Sequence, residues 1–225
     1  MTTNYTPKGY CDKADIENFL LTDIDSSFDT QVDSWIAAAE TWVDQYLGYT
    51  TASGVYMEEI SNEVAESSYV DGDLNLVVFP RKVPVDSITS ISLVKGTDSL
   101  DLGLTSGGEN RYQLPEPKDR IVYPSAELSL SGSSVINNFA DIKFTKFFCD
   151  LTYRAGYSTI PSPISMATVN VASDFIMRHA NKEGLESISQ GRITKRWYRR
   201  SGGESDFIVD AKSLLRPYRI MTNWL

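Results

Sequence analysis

Apolar positions over residues 10–48 recur with the 3.6-residue period of amphipathic helices, and two helices are predicted there. The first opens at Asp12, an N-cap type, with Asp15 three residues on; its apolar positions are Ile16, Phe19 and Leu20. The second opens near Ser26, with Asp29 at the capping-box position, a shorter residue than the usual Glu. Phe28, Val32, Trp35, Ile36, Ala39, Trp42, Val43, Tyr46 and Leu47 form its i, i+3, i+4, i+7 stripe. Asp29, Asp33, Glu40 and Asp44 fall off that stripe, which predicts an acidic outer side. Gly48 suits the left-handed residue that stops a helix.

The pattern then changes. Between residues 55 and 154 helical periodicity fades, and short β-like runs alternate with Gly, Pro, Asp and Ser. Strands are predicted at Val55–Ile60, Leu74–Phe79, Ile88–Val94, Tyr112–Leu114, Arg120–Tyr123, Leu128–Leu130 and Asp141–Arg154. Asp71-Gly72 reads as the turn between two of them. Along the last strand Ile142 and Phe144 keep one phase, while Phe147, Cys149, Leu151 and Tyr153 keep the other, which predicts a bulge near Lys146.

A long helix is predicted from Ile164 to Lys182 after Pro161 and Pro163. It is apolar on more than one side, as a central core helix would be, or one packed on both its own domain and a neighbouring subunit. Residues 185–203 carry no helical stripe and read as an extended arm. A final helix at Ser205–Leu215 presents Phe207, Ile208, Ala211, Leu214 and Leu215 on one face, and Pro217 stops it. Ile220, Met221, Trp224 and Leu225 make an apolar tail.

Three segments follow: a helical part over residues 1–50, a β-rich insert over 51–154, and a second helical part with arm and tail over 155–225. The fold class is α+β, a mainly helical core interrupted by a small antiparallel β-domain.

Charge divides along the chain. Residues 1–75 hold fifteen acids and two bases, a net of −13, whereas residues 178–219 hold ten bases and five acids, a net of +5. Two electrostatic surfaces of opposite sign are expected, either as solvated faces or as halves of a head-to-tail contact. No run is long and apolar enough for a bilayer span, and Met1-Thr2-Thr3-Asn4 does not begin a secretory signal. Cys11 and Cys149 are expected to be free thiols, and one histidine with two cysteines argues against a His/Cys metal site.

Catalytic patterns are missing from the sequence. There is no phosphate loop, dinucleotide fingerprint, nucleophile elbow or His-Glu-x-x-His. His179 reads as a packed or interface residue, and Asp71-Gly72-Asp73 as a turn without the ligand spacing of a calcium loop. No cofactor is expected. Arg192, Lys195, Arg196, Arg199 and Arg200 surround Trp197 and Tyr198. Such a cluster suits phosphate contacts and base stacking, or docking on an acidic protein surface where Trp, Tyr and Arg act as anchors. The overall acidity favours a protein partner.

The order of motifs resembles the head–tail connector (adaptor) proteins of tailed bacteriophages. Tyr10, Asp12, Asp15-Ile16 and Phe19-Leu20 match the family's opening helix, and Ile36, Ala39, Trp42-Val43 and Tyr46-Leu47-Gly48 the end of its second. Tyr153, Gly156-Tyr157 and Ile160-Pro161 match its strand-to-helix passage. Gly184-Leu185, Ser187, Gly191 and Tyr198 match its arm, and Leu214-Leu215 with Pro217-Tyr218 its closing helix. The match covers residues 10–50 and 150–220; the β-rich middle departs from the compact helical members.

The resemblance implies a non-enzymatic virion protein of the neck, made in the host cytoplasm. It would form a ring, typically dodecameric, between the portal protein and other neck or tail proteins, and extend the channel through which DNA passes. It further implies that Arg192, Lys195, Arg196, Trp197, Tyr198, Arg199, Arg200, Trp224 and Leu225 contact the portal or a neighbouring subunit. Asp33, Glu40 and Asp44 are then expected to face the channel and repel the DNA backbone. A nucleic-acid-binding module that uses the basic arm, or another tail-completion protein, is the alternative.

Overall fold

The computed structural model describes residues 6–73, 75–95, 98–106, 109–124, 146–180, 187–190, 193–196 and 205–220. It is an α+β fold. Two compact units form: Met1–Gly54 together with Thr159–Arg219 makes one, and Val55–Ser158 together with Ile220–Leu225 makes the other.

The helical unit contains α1 (Lys13–Leu20), α2 (Asp29–Leu47), α3 (Ser162–Ala180) and α4 (Asp206–Leu215). Local chemistry sets each boundary. Asp12 and Asp15 form a reciprocal capping box at the start of α1. A 3-10 turn, Ser26–Phe28, capped by the Asp25 side chain, precedes α2, so the regular helix starts later than its first capping residue suggests. Gly48 ends α2 with φ of 93°, a conformation that costs other residues about 1 kcal/mol. Ser205 caps α4 by accepting from Ile208 N–H, and a 3-10 turn at Arg216–Tyr218 closes it.

The long α3 is the centre of this unit. It packs against α1, α2 and α4. Ile164, Ala167, Thr168, Val169, Asn170, Val171, Ala172, Ser173 and Asp174 are all buried. A helix whose middle, residues 167–174, is buried all round has to carry small residues where neighbours approach closely; Ala167, Ala172 and Ser173 have no exposed surface. Ring contacts tie the helices: Phe19 meets Phe207 edge-on at 5.9 Å, and Trp35 lies 5.0 Å from His179. Arg219 stands over the Tyr46 ring at 5.5 Å.

Two further strands, β9 (Ser187–Gln190) and β10 (Ile193–Arg196), lie between α3 and α4 and pair with each other.

The β unit is a six-stranded sheet in the order β4-β3-β8-β1-β2-β7, with β5 (Thr105–Ser106) and β6 (Glu109–Asn110) as a separate two-stranded ribbon. Its strands are β1 (Glu58–Val70), β2 (Leu76–Val78), β3 (Val85–Lys95), β4 (Asp98–Asp101), β7 (Ile121–Tyr123) and β8 (Lys146–Ala155). All described pairings within it are antiparallel. Cys149, Leu151, Tyr153 and Ala155 of β8 face a core shared with Ile91, Leu93, Leu76, Val78, Ile121 and Tyr123. The expected phase from Cys149 to Tyr153 holds. Register slips occur in β1 and β3: Ile60 pairs with Tyr153 but Glu63 with Leu151, and Ala65 with Cys149 but Ser68 with Phe147, while the phase change expected just before Lys146 falls on residues outside those described. Asn62 sits inside that first slip with φ of 55°. Residues 141–145, with Ile142 and Phe144, and the strand expected at Leu128–Leu130 lie outside the described residues.

The expected turn at Asp71-Gly72 is present. Asp71 accepts from the Asp73 and Asn75 amides at 2.9 and 2.8 Å and from the Asn75 side chain at 3.1 Å. These bonds occupy the carboxylate as a turn former. At the end of β8, Gly156 has φ of 109° and packs so closely that an added Cβ would lie 2.5 Å from the Tyr56 carbonyl oxygen. Only glycine fits there.

Candidate partner interface

The described part of the basic arm is a pair of antiparallel strands, β9 and β10. Ile193 pairs with Gln190, Thr194 with Ser189, Lys195 with Ile188 and Arg196 with Ser187. Lys195 and Arg196 therefore have fixed register positions on β10. Arg192, Trp197, Tyr198, Arg199, Arg200, Trp224 and Leu225 lie outside the described residues.

The acidic helix differs from expectation. Asp33 is exposed, but Glu40 and Asp44 are 0% and 4% exposed and do not belong to an acidic outer side. They hold down a strap made by Lys8-Gly9-Tyr10. Glu40 accepts backbone N–H bonds from Lys8 at 2.5 Å, Gly9 at 2.7 Å and Tyr10 at 2.8 Å. Asp44 accepts from Lys8 Nζ at 2.5 Å and from the Tyr10 hydroxyl at 2.6 Å. Gly54 passes so close that an added Cβ would lie 2.1 Å from that hydroxyl. Two carboxylates one helical turn apart are thus satisfied internally, as buried charges must be. They cannot line a channel. The sequence signal for this strap was Lys8 itself, one of only two bases among the first 75 residues.

Negative charge is instead exposed at the junction between α1 and α2. Asp12, Asp15, Asp23, Asp25, Asp29 and Asp33 are all exposed there. Lys13, the one base of the segment 12–33, lies 2.6 Å from Asp29 and 3.6 Å from Glu17. Asp25 is held below the usual carboxylate range, first by the Ser27 backbone N–H it accepts. Leu21 and Phe28 stand out of the same junction, 65% and 45% exposed. Sequence reasoning placed Phe28 in the apolar stripe, because its spacing from Val32 is helical; the 3-10 turn rotates it out of that register.

Groups with chemical potential elsewhere are structural. Burial pushes the Cys11 thiol up to about 12 and the Cys149 thiol up to about 11, so neither is a nucleophile near neutral pH. In the β unit the Tyr153 hydroxyl donates to Glu63 at 2.7 Å and accepts from the Lys82 amide at 3.1 Å, and Lys82 Nζ pairs with Glu58 at 2.6 Å. Burial, and the bond to Glu63, raise the Tyr153 phenol. Asp174 lies 2.7 Å from Arg178, close enough for an ion pair but without hydrogen-bond alignment to Oδ2. Among the described residues no His/Cys/Asp/Glu group is arranged to hold a metal, and no helix is long and apolar enough to cross a membrane.

No protein-family model and no curated protein matches the chain. Among solved structures, a chain from the virion of a native gene transfer agent (GTA) particle is similar at 12% identity, covering 96% of this chain and 93% of that chain with a TM-score of 0.45.

Proposed function

We propose that this chain is a structural virion protein, a head–tail connector subunit that assembles as a ring between portal and tail. The observation that carries the reading is the way the chain closes. The connector-like motifs occupy residues 10–50 and 150–220, and a single helical unit is built from residues 1–54 and 159–219. Segments separated by the whole β insert thus form one body. The motif residues also stand at its joints: the Asp12–Asp15 box, the Gly48 stop, and Pro161, whose carbonyl accepts from the Ile164 and Ser165 amides at the start of α3.

In this reading the work is mechanical. Burial of apolar surface and matching charge hold subunits together, the ring extends the DNA channel, and DNA passes without specific binding. The basic arm and the tail Ile220–Leu225 contact the portal or a neighbouring subunit. The β unit faces the next neck or tail component. The buried Glu40 and Asp44 take no part in repelling DNA; Asp33 remains available at the surface.

The test is deletion of the gene from the phage, followed by electron microscopy of the particles. DNA-filled heads without attached tails support the connector reading. Normal tailed, infectious particles refute it. A second reading, a nucleic-acid-binding module, draws on the basic cluster at 192–200. It requires steeply salt-dependent DNA binding that disappears when Arg196, Arg199 and Arg200 are replaced.

A further inference from the structure

Residues 25–31 are exposed without exception, although they include a 3-10 turn and the first residues of α2. Phe28 lies in the middle of this run, and Leu21 projects at the end of α1, where its φ is 53°. Glu17 binds the two sides of the junction together: it lies 3.6 Å from Lys13 and accepts from the Ile24 amide at 2.9 Å. Lys13 in turn reaches Asp29, the residue after Phe28. The result is a firm surface with two unpartnered apolar side chains and a carboxylate rim. Asp12, Asp15, Asp23 and Asp33 have no ion-pair partner among the described residues, and Asp25 feels the charge of Lys13 without an ion pair to it.

We propose that this junction receives the basic arm, residues 192–200, of a second copy of the chain. The proposal rests on the ring-subunit reading and specifies its subunit contact. Charge identifies the occupant. Segment 192–200 carries Arg192, Lys195, Arg196, Arg199 and Arg200 and no acid, a positive charge to set against the carboxylate rim. Ile193, Trp197 and Tyr198 supply apolar groups for Leu21 and Phe28, with Trp, Tyr and Arg the residue types that dominate interface energetics. The whole chain has a net charge of −9, so copies repel unless a local patch of opposite sign is presented. Donor and acceptor are different patches of one chain, and a contact of that kind builds a ring when the rotation between neighbours closes. An acidic receptor also excludes DNA as the occupant.

The experiment uses full-length protein assembled on isolated portal rings. Phe28→p-benzoylphenylalanine places a photo-cross-linker in the junction, and mixing nitrogen-15-labelled with unlabelled subunits separates contacts between copies from those within one. Cross-links from position 28 to peptides within 187–203 of the other isotopic copy are expected. Asp23 and Asp33 make no hydrogen bond that holds the fold, so Asp23→Lys with Asp33→Lys is expected to weaken subunit association about 10-fold while leaving the subunit folded. Adding Arg196→Glu and Arg199→Glu to the same chain is expected to restore it, because both signs are then inverted. Cross-links confined to one copy, or rings that form equally well with the two lysines, overturn the contact and leave the connector reading standing. Failure of the unmodified protein to form any ring on the portal overturns both.

Discussion

Removing the Glu40 carboxylate should release the N-terminal strap. The side chain is fully buried and accepts three backbone N–H groups, from Lys8, Gly9 and Tyr10. A hydrogen bond to a charged group contributes about 1.5–3 kcal/mol. The three do not simply add after Glu40→Ala, because a strap that leaves α2 recovers water for its amides. The loss is then bounded by what the strap contributes, and stripping the partner from a buried charged set costs about 3–5 kcal/mol. Glu40→Gln is graded differently. Its amide oxygen can replace the oxygen that serves Gly9 and Tyr10, while its NH2 confronts the Lys8 N–H, so one bond of three is lost, at about 1–2 kcal/mol. The assay is urea unfolding followed by tryptophan fluorescence. Trp35 and Trp42 belong to α2, which carries the strap, so the signal reports the unfolding of the helical unit. Amide hydrogen exchange at Lys8–Tyr10 gives a local readout. A loss below about 1 kcal/mol for Glu40→Ala, or equal losses for the two variants, refutes the strap as a charged, three-bond lock.

Further outcomes follow from the same geometry. Gly156→Ala forces a Cβ against the Tyr56 backbone at positive φ, and a loss of about 3 kcal/mol or more, read by circular dichroism melts of the β-rich signal, is expected. Tyr153→Phe leaves the Lys82 amide and one Glu63 oxygen without their shared hydroxyl, and should cost about 1–3 kcal/mol in a denaturant titration. Leu21→Gly removes an exposed apolar side chain from a left-handed conformation; the isolated subunit should gain about 0.5–1 kcal/mol in the same titration even as ring association weakens. Cys11 and Cys149 should resist a thiol reagent at pH 8 in the native protein and react after unfolding. Their raised values also set a pH dependence. Above the unfolded value of 9.0 the unfolded chain loses the thiol protons that the native state keeps until about 11 to 12, so stability should fall as pH rises through that window.

The helices were legible because their information is local. Asp12 with Asp15, Gly48, and Ser205 with the Ile208 stripe each specify a boundary within one or two turns, and those boundaries are present. The sheet was legible only in part. The thirteen-residue β1 was read only as far as Ile60, since Ser61-Asn62-Glu63 and Glu66-Ser67-Ser68 lack strand-forming side chains. Pairing with β8, some ninety residues away, and two register slips make that polar segment a strand. β4, Asp98–Asp101, is as polar and was missed for the same reason; β3 pairs along its length. Glu40 and Asp44 misled because spacing on a helix cannot reveal a strap arriving from residues 8–10. The arm was read as extended without its strand pairing, since Ser187–Gln190 and Ile193–Arg196 carry no strong alternation. Its basic and aromatic content, which motivates the partner contact, was plain in the sequence.

Mass photometry of the purified protein with isolated cognate portal rings tests the proposed ring assignment most directly. The account predicts a discrete complex whose added mass equals a closed set of subunits, dispersed at high salt. Subunits that remain monomeric beside unaltered portal rings contradict it, and low-salt binding to DNA in the same sample would move the function to nucleic-acid binding.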